Sequence, residues 1–291
     1  MSKPRFTSFT MILPVCNEES RIQRVLDYYK NVAPLVVCDN FSRDRTREIT
    51  ENNGVQVIQK KNDGSAQTPE WTREVFSGID SDYVLWLSSS EFIPMTMLEK
   101  FDEIAQSHEF GMVENVVISH TCGEEIPLWG GRFNLFNRRI QRFFNRHELN
   151  YDAVYMHAPF QIKDPARCKR MENSKLYNII HLRDSDAYSL LFKHLSYSVV
   201  EARQIVENGK SFTFLRLILL LMKEGARLFL VPFRQWHGVA FREIWARIVM
   251  HTTIYCMVWE LKNDKGIEYS KRRNSELWGK LMTESGKDTF G

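Results

Sequence analysis

Residues Tyr83–Pro94 read Y-V-L-W-L-S-S-S-E-F-I-P. Five apolar residues run into three serines and a glutamate, and a proline follows. An apolar run of this length, bounded by small polar residues, predicts a strand buried in a parallel sheet. Open α/β sheets bind their ligands beyond the carboxyl ends of the strands. Ser88, Ser89, Ser90 and Glu91 therefore stand where a site is expected.

Upstream, the same pattern repeats. Phe9–Val15 predicts a first strand, broken near Pro14 and followed by Cys16-Asn17-Glu18-Glu19. Ile22, Val25, Leu26 and Tyr29 then recur at helical spacing. Asn17 is the expected N-cap of that helix, with two glutamates favourable in its first turn. Leu35–Cys38 predicts a second strand, which leads into Asp39–Thr46 and a helix to about Asn52. After the Asn53-Gly54 turn signal, Val55–Gln59 predicts a third strand. Thr68-Pro69-Glu70 opens a helix carrying Trp71, Val75, Phe76 and Ile79. Strands alternating with helices predict a mostly parallel α/β sheet flanked on both faces. Right-handed crossovers then gather loops 14–18, 39–46 and 88–94 on one edge.

Downstream, a helix is expected from Met95 to about Gln106, and strands over Gly111–His120, Val154–Ile162 and Tyr177–Leu182. Between them lies the aromatic and basic stretch Arg132–Phe144. From Ser185 the pattern is helical, stopping first at Asn208-Gly209. Phe212–Phe229 and Ile244–Leu261 follow as apolar helices. The expected organisation is an α/β domain over 1–184, a helical extension over 185–262 and a polar tail over 263–291.

Composition narrows the function class. The chain has 291 residues, 43% hydrophobic and 26% charged, which suits a globular protein. A formal net charge of +3 is too small to argue for nucleic acid, and no recognition module accompanies the basic stretch. Five cysteines, widely spaced and without C-x-x-C, argue against a disulfide framework and suit a reducing compartment. The N-terminus has no apolar core of signal-peptide length, so a cytoplasmic location is expected. No segment has the length and apolarity of a membrane span, since Ile244–Leu261 contains Arg247 and His251.

Three stretches together resemble family 2 glycosyltransferases of the GT-A fold, in particular the bacterial lipopolysaccharide-core or cell-surface-glycan branch. Pro14-Val15-Cys16-Asn17-Glu18-Glu19 resembles the family's P-x-(Y/C/F)-N-E-E opening. Val36–Thr46 resembles its v-v-D-n-x-S-x-D-x-T. Tyr83–Pro94 occupies the place of its f-l-D-a-D-E-f-i-p. The resemblance implies transfer of a sugar, with inversion, from a UDP- or GDP-linked donor to a glycan or glycolipid acceptor. It implies nucleotide-sugar contacts at Pro14, Cys16, Asn17, Glu18, Asp39, Ser42, Ser88 and Ser90. Asp39 has a physical reason as well, because a carboxylate ending an apolar strand is costly without a polar task. For Ser42, Asp44 and Thr46, capping of the next helix is the simpler account.

The departures matter equally. In the family two aspartates stand where this chain has Ser88 and Ser90, and the second usually holds Mg2+ or Mn2+ on the diphosphate. Serine is a poor ligand for a hard divalent cation. Three arrangements stay open: metal-independent transfer with Arg or Lys neutralising the diphosphate; a metal on Glu91 helped by His157 or His181; or a catalytically inactive, nucleotide-sugar-binding scaffold protein. Inverting transfer needs a base for the acceptor proton. Glu148, in Arg146-His147-Glu148, is the expected base, with His157 in the competing alignment, and Glu91 is a second catalytic candidate. Arg132, Arg138, Arg139 and Arg142 face either the diphosphate or an anionic acceptor, or form a solvated basic surface. Lastly, cations outnumber acids between Phe212 and Arg247, which with Trp236 and Trp245 suits the anionic inner face of a membrane as well as a buried helix pair.

Overall fold

The computed structural model describes residues 3–62, 66–121, 124–125, 139–154, 159–182, 186–230, 238–263, 265–266 and 269–278. The chain divides into two compact units, Met1–Arg183 and Asp184–Gly291.

In the first unit the elements run β1 (Phe9–Val15), α1 (Glu19–Tyr29), β2 (Leu35–Asp39), α2 (Thr46–Asn52), β3 (Gln56–Gln59), α3 (Pro69–Ser77) and β4 (Tyr83–Trp86). There follow β5 (Glu91–Phe92), α4 (Met95–Ser107), β6 (Met112–Thr121), β7 (Glu124–Glu125), β8 (Arg139–Asn145), β9 (Cys168–Arg170) and β10 (Ile179–Leu182). Among the described residues these strands form one sheet in the order β3-β2-β1-β4-β8-β6-β10-β5, with β7 and β9 both paired to β6. β3, β2, β1 and β4 are parallel. β8 runs antiparallel between β4 and β6, so β6 points the same way as β4. β10 is parallel to β6, and β5 is antiparallel to β10. This is an α/β fold of the GT-A kind, with a mixed sheet flanked by helices.

The apolar runs have a two-sided explanation. Along β1, Phe9, Met11 and Leu13 enter one core with Ile22 and Leu26 of α1 and Phe101 of α4. Ile12 enters the opposite core with Trp71 and Phe76 of α3. β4 divides likewise, Tyr83 and Leu85 to one side and Val84 and Trp86 to the other. Successive side chains of a strand point to opposite faces, so a strand covered on both sides must be apolar throughout. β8 completes the pattern: Phe143 stacks on Phe101 at 4.3 Å, while Phe144 packs near Phe160 at 4.7 Å.

Three local expectations are corrected. Asn17 does not cap α1: its φ is 55°, and its side chain accepts from the Arg43 N–H instead. The strand expected over Val154–Ile162 is reduced, in its described part, to a single bridge between Leu149 and Ile162. The polar tail, where no helix is predicted, contains a helix over 269–278.

The second unit holds α5 (Ala187–Glu207), α6 (Phe214–Leu230) and α7 (Val239–Asn263). Asp186 caps α5 by accepting the Ser189 N–H at 2.8 Å. Gly209 follows α5 at φ +64°, a conformation that glycine adopts without a Cβ clash. Ala202, Ile205, Phe212, Leu217, Ile254 and Val258 make this unit's core. No helix among the described residues is long and apolar enough to cross a membrane.

Candidate active site

The parallel strands place their carboxyl ends on one edge. There the loop after β1 and the loop after β2 are locked together. Ser42 donates its hydroxyl to Asp39 Oδ1 at 2.5 Å and accepts the Asn17 N–H at 2.9 Å. Asn17 Oδ1 accepts the Arg43 N–H at 2.8 Å. The Glu18 N–H donates to Thr46 Oγ1 at 2.7 Å, and the Glu19 N–H to Asp44 Oδ2 at 3.0 Å. Asp44 Oδ1 also accepts the Thr46 N–H at 3.0 Å. The first free N–H groups of α1 and α2 thus meet acceptors that lie between the two helices. Asp44 therefore serves the following helix as expected, through the Thr46 N–H, and α1 as well, whereas Thr46 is the first residue of α2 and its hydroxyl serves α1 instead.

Asp39 is fully buried. Its polar task is internal: both oxygens accept from the Ser42 N–H, at 3.2 and 3.3 Å. Burial pushes the Asp44 carboxyl up, but hydrogen bonds from Thr46 and the Glu19 N–H outweigh it and hold the group below its ordinary value. Cys16 is exposed beside these carboxylates. Partial burial, then Asp39, Asp44 and Glu18, raise its thiol pKa. Pro14 is the β1 partner of Cys38 and so sits inside the sheet, one residue short of the edge.

At the end of β4, Ser88 Oγ lies 2.9 Å from Ser90 Oγ, and Ser90 Oγ lies 3.0 Å from His181 Nε2. β5 and β10 set this contact, because their antiparallel register places His181 opposite Glu91. The Glu91 side chain is wholly buried, and Arg142 Nη2 donates to its Oε1 at 2.5 Å. Tyr29 of α1 steadies the turn: its hydroxyl donates to the Glu91 carbonyl at 3.3 Å and accepts the Ile93 N–H at 2.9 Å.

This donor set does not fit a divalent cation. Its carboxylate is matched by a guanidinium, and its other oxygens are neutral hydroxyls. The expectation of Glu91 as a metal ligand is corrected on that ground. His181 is brought to Ser90. His157 lies outside the described residues. Among those described, no group of three His, Cys, Asp or Glu is arranged to hold a metal.

Glu148 is also corrected. β8 is antiparallel to β4, and Asn145 pairs with Tyr83 at the start of β4. The residues after β8 therefore emerge on the edge opposite Ser88–Glu91. There Glu148 is bound in a fork by Arg167, at 2.8 and 3.0 Å. Of the basic stretch, Arg132 and Arg138 lie outside the described residues. Arg139 donates to the Met171 carbonyl at 2.9 Å. Arg142, one of the four arginines expected to face the diphosphate, an anionic acceptor or solvent, lies against Glu91.

The family model described as glycosyl transferase family 2 matches residues 10–164. That span covers β1 to β8 and both locked loops. The chain belongs to glycosyl transferase family 2. No curated protein matches the sequence. Among solved structures, this family 2 chain is similar to glucosyl-3-phosphoglycerate synthase from Mycobacterium tuberculosis in complex with Mn2+, UDP and glucosyl-3-phosphoglycerate. The identity is 19% over 39% of this chain and 44% of that one, with a TM-score of 0.30. It is also similar to a structure described only as a mycobacterial protein, 19% identical over 40% of this chain and 42% of that one, TM-score 0.32. The chain thus spans under half the length of the solved structures it matches.

Proposed function

We propose that this protein transfers a sugar, with inversion, from a UDP- or GDP-linked donor to a cell-surface glycan or glycolipid acceptor, without a divalent metal. The observation that carries this reading is the Glu91–Arg142 pair at the end of β4 in a family 2 chain. It engages the carboxylate at this strand end with a guanidinium, next to the place where a donor diphosphate is expected, and so leaves that carboxylate matched rather than holding a metal. In this reading the locked loops receive the nucleotide. Asp39 and Ser42 shape the loop, and Asn17, Glu18 and Cys16 line it. Ser88 and Ser90 offer hydroxyl donors to the diphosphate.

The lipopolysaccharide-core or surface-glycan pathway, a hexosyl donor and attachment to the inner membrane face belong to the same proposal. Support for attachment comes from α6. Leu215, Leu219 and Met222 are exposed along one stripe of that helix, and Arg216 and Lys223 flank it. A second reading, a nucleotide-sugar-binding scaffold without turnover, is favoured by the serines at 88 and 90 and by the removal of Glu148 to the far edge.

Incubation with a panel of UDP- and GDP-sugars, with EDTA or Mn2+, separates these readings. Release of nucleoside diphosphate that persists in EDTA is expected. Release abolished by EDTA would sink the metal-free version, and nucleotide binding with no turnover on any donor would establish the scaffold. Flotation of the protein with anionic vesicles at low salt tests the attachment, and failure to float removes it.

A further inference from the structure

Between α1 and β5, the first unit has a cleft of about 140 Å3. Arg21, Arg24 and Tyr28 form one wall, and Ser89, Phe92 and Leu182 the other. It is too small for a whole nucleotide sugar, since sites for drug-sized ligands run to about 300–1,000 Å3. A cavity needs only about 10–15 Å3 on this measure to admit a single water, so the cleft takes a ligand well beyond one water, on the scale of a single sugar ring.

The lining has the character of a sugar subsite. Tyr28 and Phe92 stand 4.8 Å apart, tilted by 43°, and Phe92 and Leu182 are exposed. Aromatic and aliphatic faces of this kind pack against the C–H face of a pyranose. Ser89 adds a hydroxyl with no partner among the described residues.

Charge decides the substituent. Arg21 is held by Glu18 at 2.8 Å, and Glu91 by Arg142. Arg24, one helical turn along from Arg21, is exposed and has no partner among the described residues. The cleft therefore carries one unmatched positive charge beside an apolar face. Arginine pairs with carboxylate or phosphate in a fork geometry.

We propose that this cleft binds an anionic sugar residue of the acceptor, a hexose bearing a carboxylate or a phosphate. Only the word acceptor rests on the transferase reading. Arg24 takes the anion, Tyr28 and Phe92 the ring face, and Ser89 a hydroxyl.

The test is ligand-observed NMR titration of the full chain with glucuronic acid, glucose 6-phosphate, glucose and inorganic phosphate. The titrations are run without nucleotide and then with UDP. Both anionic hexoses should bind more tightly than glucose or phosphate alone. Arg24→Ala should weaken them by about tenfold or more, as loss of a charge-assisted hydrogen bond does, and Arg24→Lys should restore part. Phe92→Ala should weaken all sugars alike. UDP should leave the affinities unchanged.

Glucose binding as well as glucuronic acid would overturn the proposal. So would phosphate binding as well as glucose 6-phosphate, or an Arg24→Ala variant with native circular dichroism and native affinity. Competition by UDP would overturn the acceptor assignment by moving the cleft to the donor. Because the titrations need no turnover, an inactive protein that still binds anionic hexoses would sink the transferase reading and leave the cleft standing.

Discussion

At the scale of single residues, the Glu91–Arg142 pair distinguishes this site. Removing one partner of a buried pair leaves an uncompensated charge, which typically costs about 3–5 kcal/mol. Arg142→Met should therefore destabilise the protein by about 3 kcal/mol in urea unfolding, while the double variant Glu91→Gln/Arg142→Met should lose less. Equal losses in the single and double variants would show that Arg142 contributes packing, not charge. The position of Glu91 was legible in the sequence, because an apolar run ending in polar residues fixes where a strand stops. Its partner was not. Glu91 meets Arg142 only through the register of β8, and no local pattern encodes that register. Glu148 was misplaced for the related reason that a His-Glu dipeptide carries no record of strand direction. Asp39 was read correctly as a carboxylate needing a polar task, but the task turned out to be Ser42, three residues on.

At the scale of elements, α1 and α2 share a capping centre. Asp44 accepts from Glu19 at the start of α1 and from Thr46 at the start of α2. Loss of one cap typically costs about 1 kcal/mol, so Asp44→Ala should cost about 1–2 kcal/mol. It should also raise the amide exchange rates of Glu18, Glu19 and Thr46 together. Exchange that rises only in α2 would make Asp44 an ordinary single cap. The acid dependence has a definite sign. Asp44 is held below its ordinary pKa of 3.8. Its stabilisation is complete above that value and is lost as pH falls through the lower folded-state value. Melting temperature followed from pH 6 downward should show this loss in the wild type and not in Asp44→Asn. Helix α1 itself was legible from its periodic apolar residues, and the start of α3 from Thr68-Pro69, where Thr68 accepts the Trp71 N–H at 3.3 Å. The cap of α1 was not legible, because its acceptors lie some 25 residues away.

At the scale of the whole molecule, the α/β class, the strand-helix alternation and the gathering of three loops on one edge followed from the sequence. What did not follow was the order of strands beyond β4. There β8 inserts itself between β4 and β6 and reverses the sheet locally. That insertion has a consequence for synthesis. As the chain leaves the ribosome, β1 to β4 emerge first. The outer edge of β4, with all four side chains buried in the finished protein, must then wait while residues 87–138 are made. An apolar strand with an open edge is a template for wrong pairing. Ribosome-arrested chains with 138 residues emerged should therefore be cut readily by protease and engage chaperones, and chains with 182 emerged should not. Equal protease resistance at the two lengths would mean that the first four strands close without β8. The residue that guards the candidate site, Arg142, would on this account also mark the moment when the growing sheet stops being a hazard.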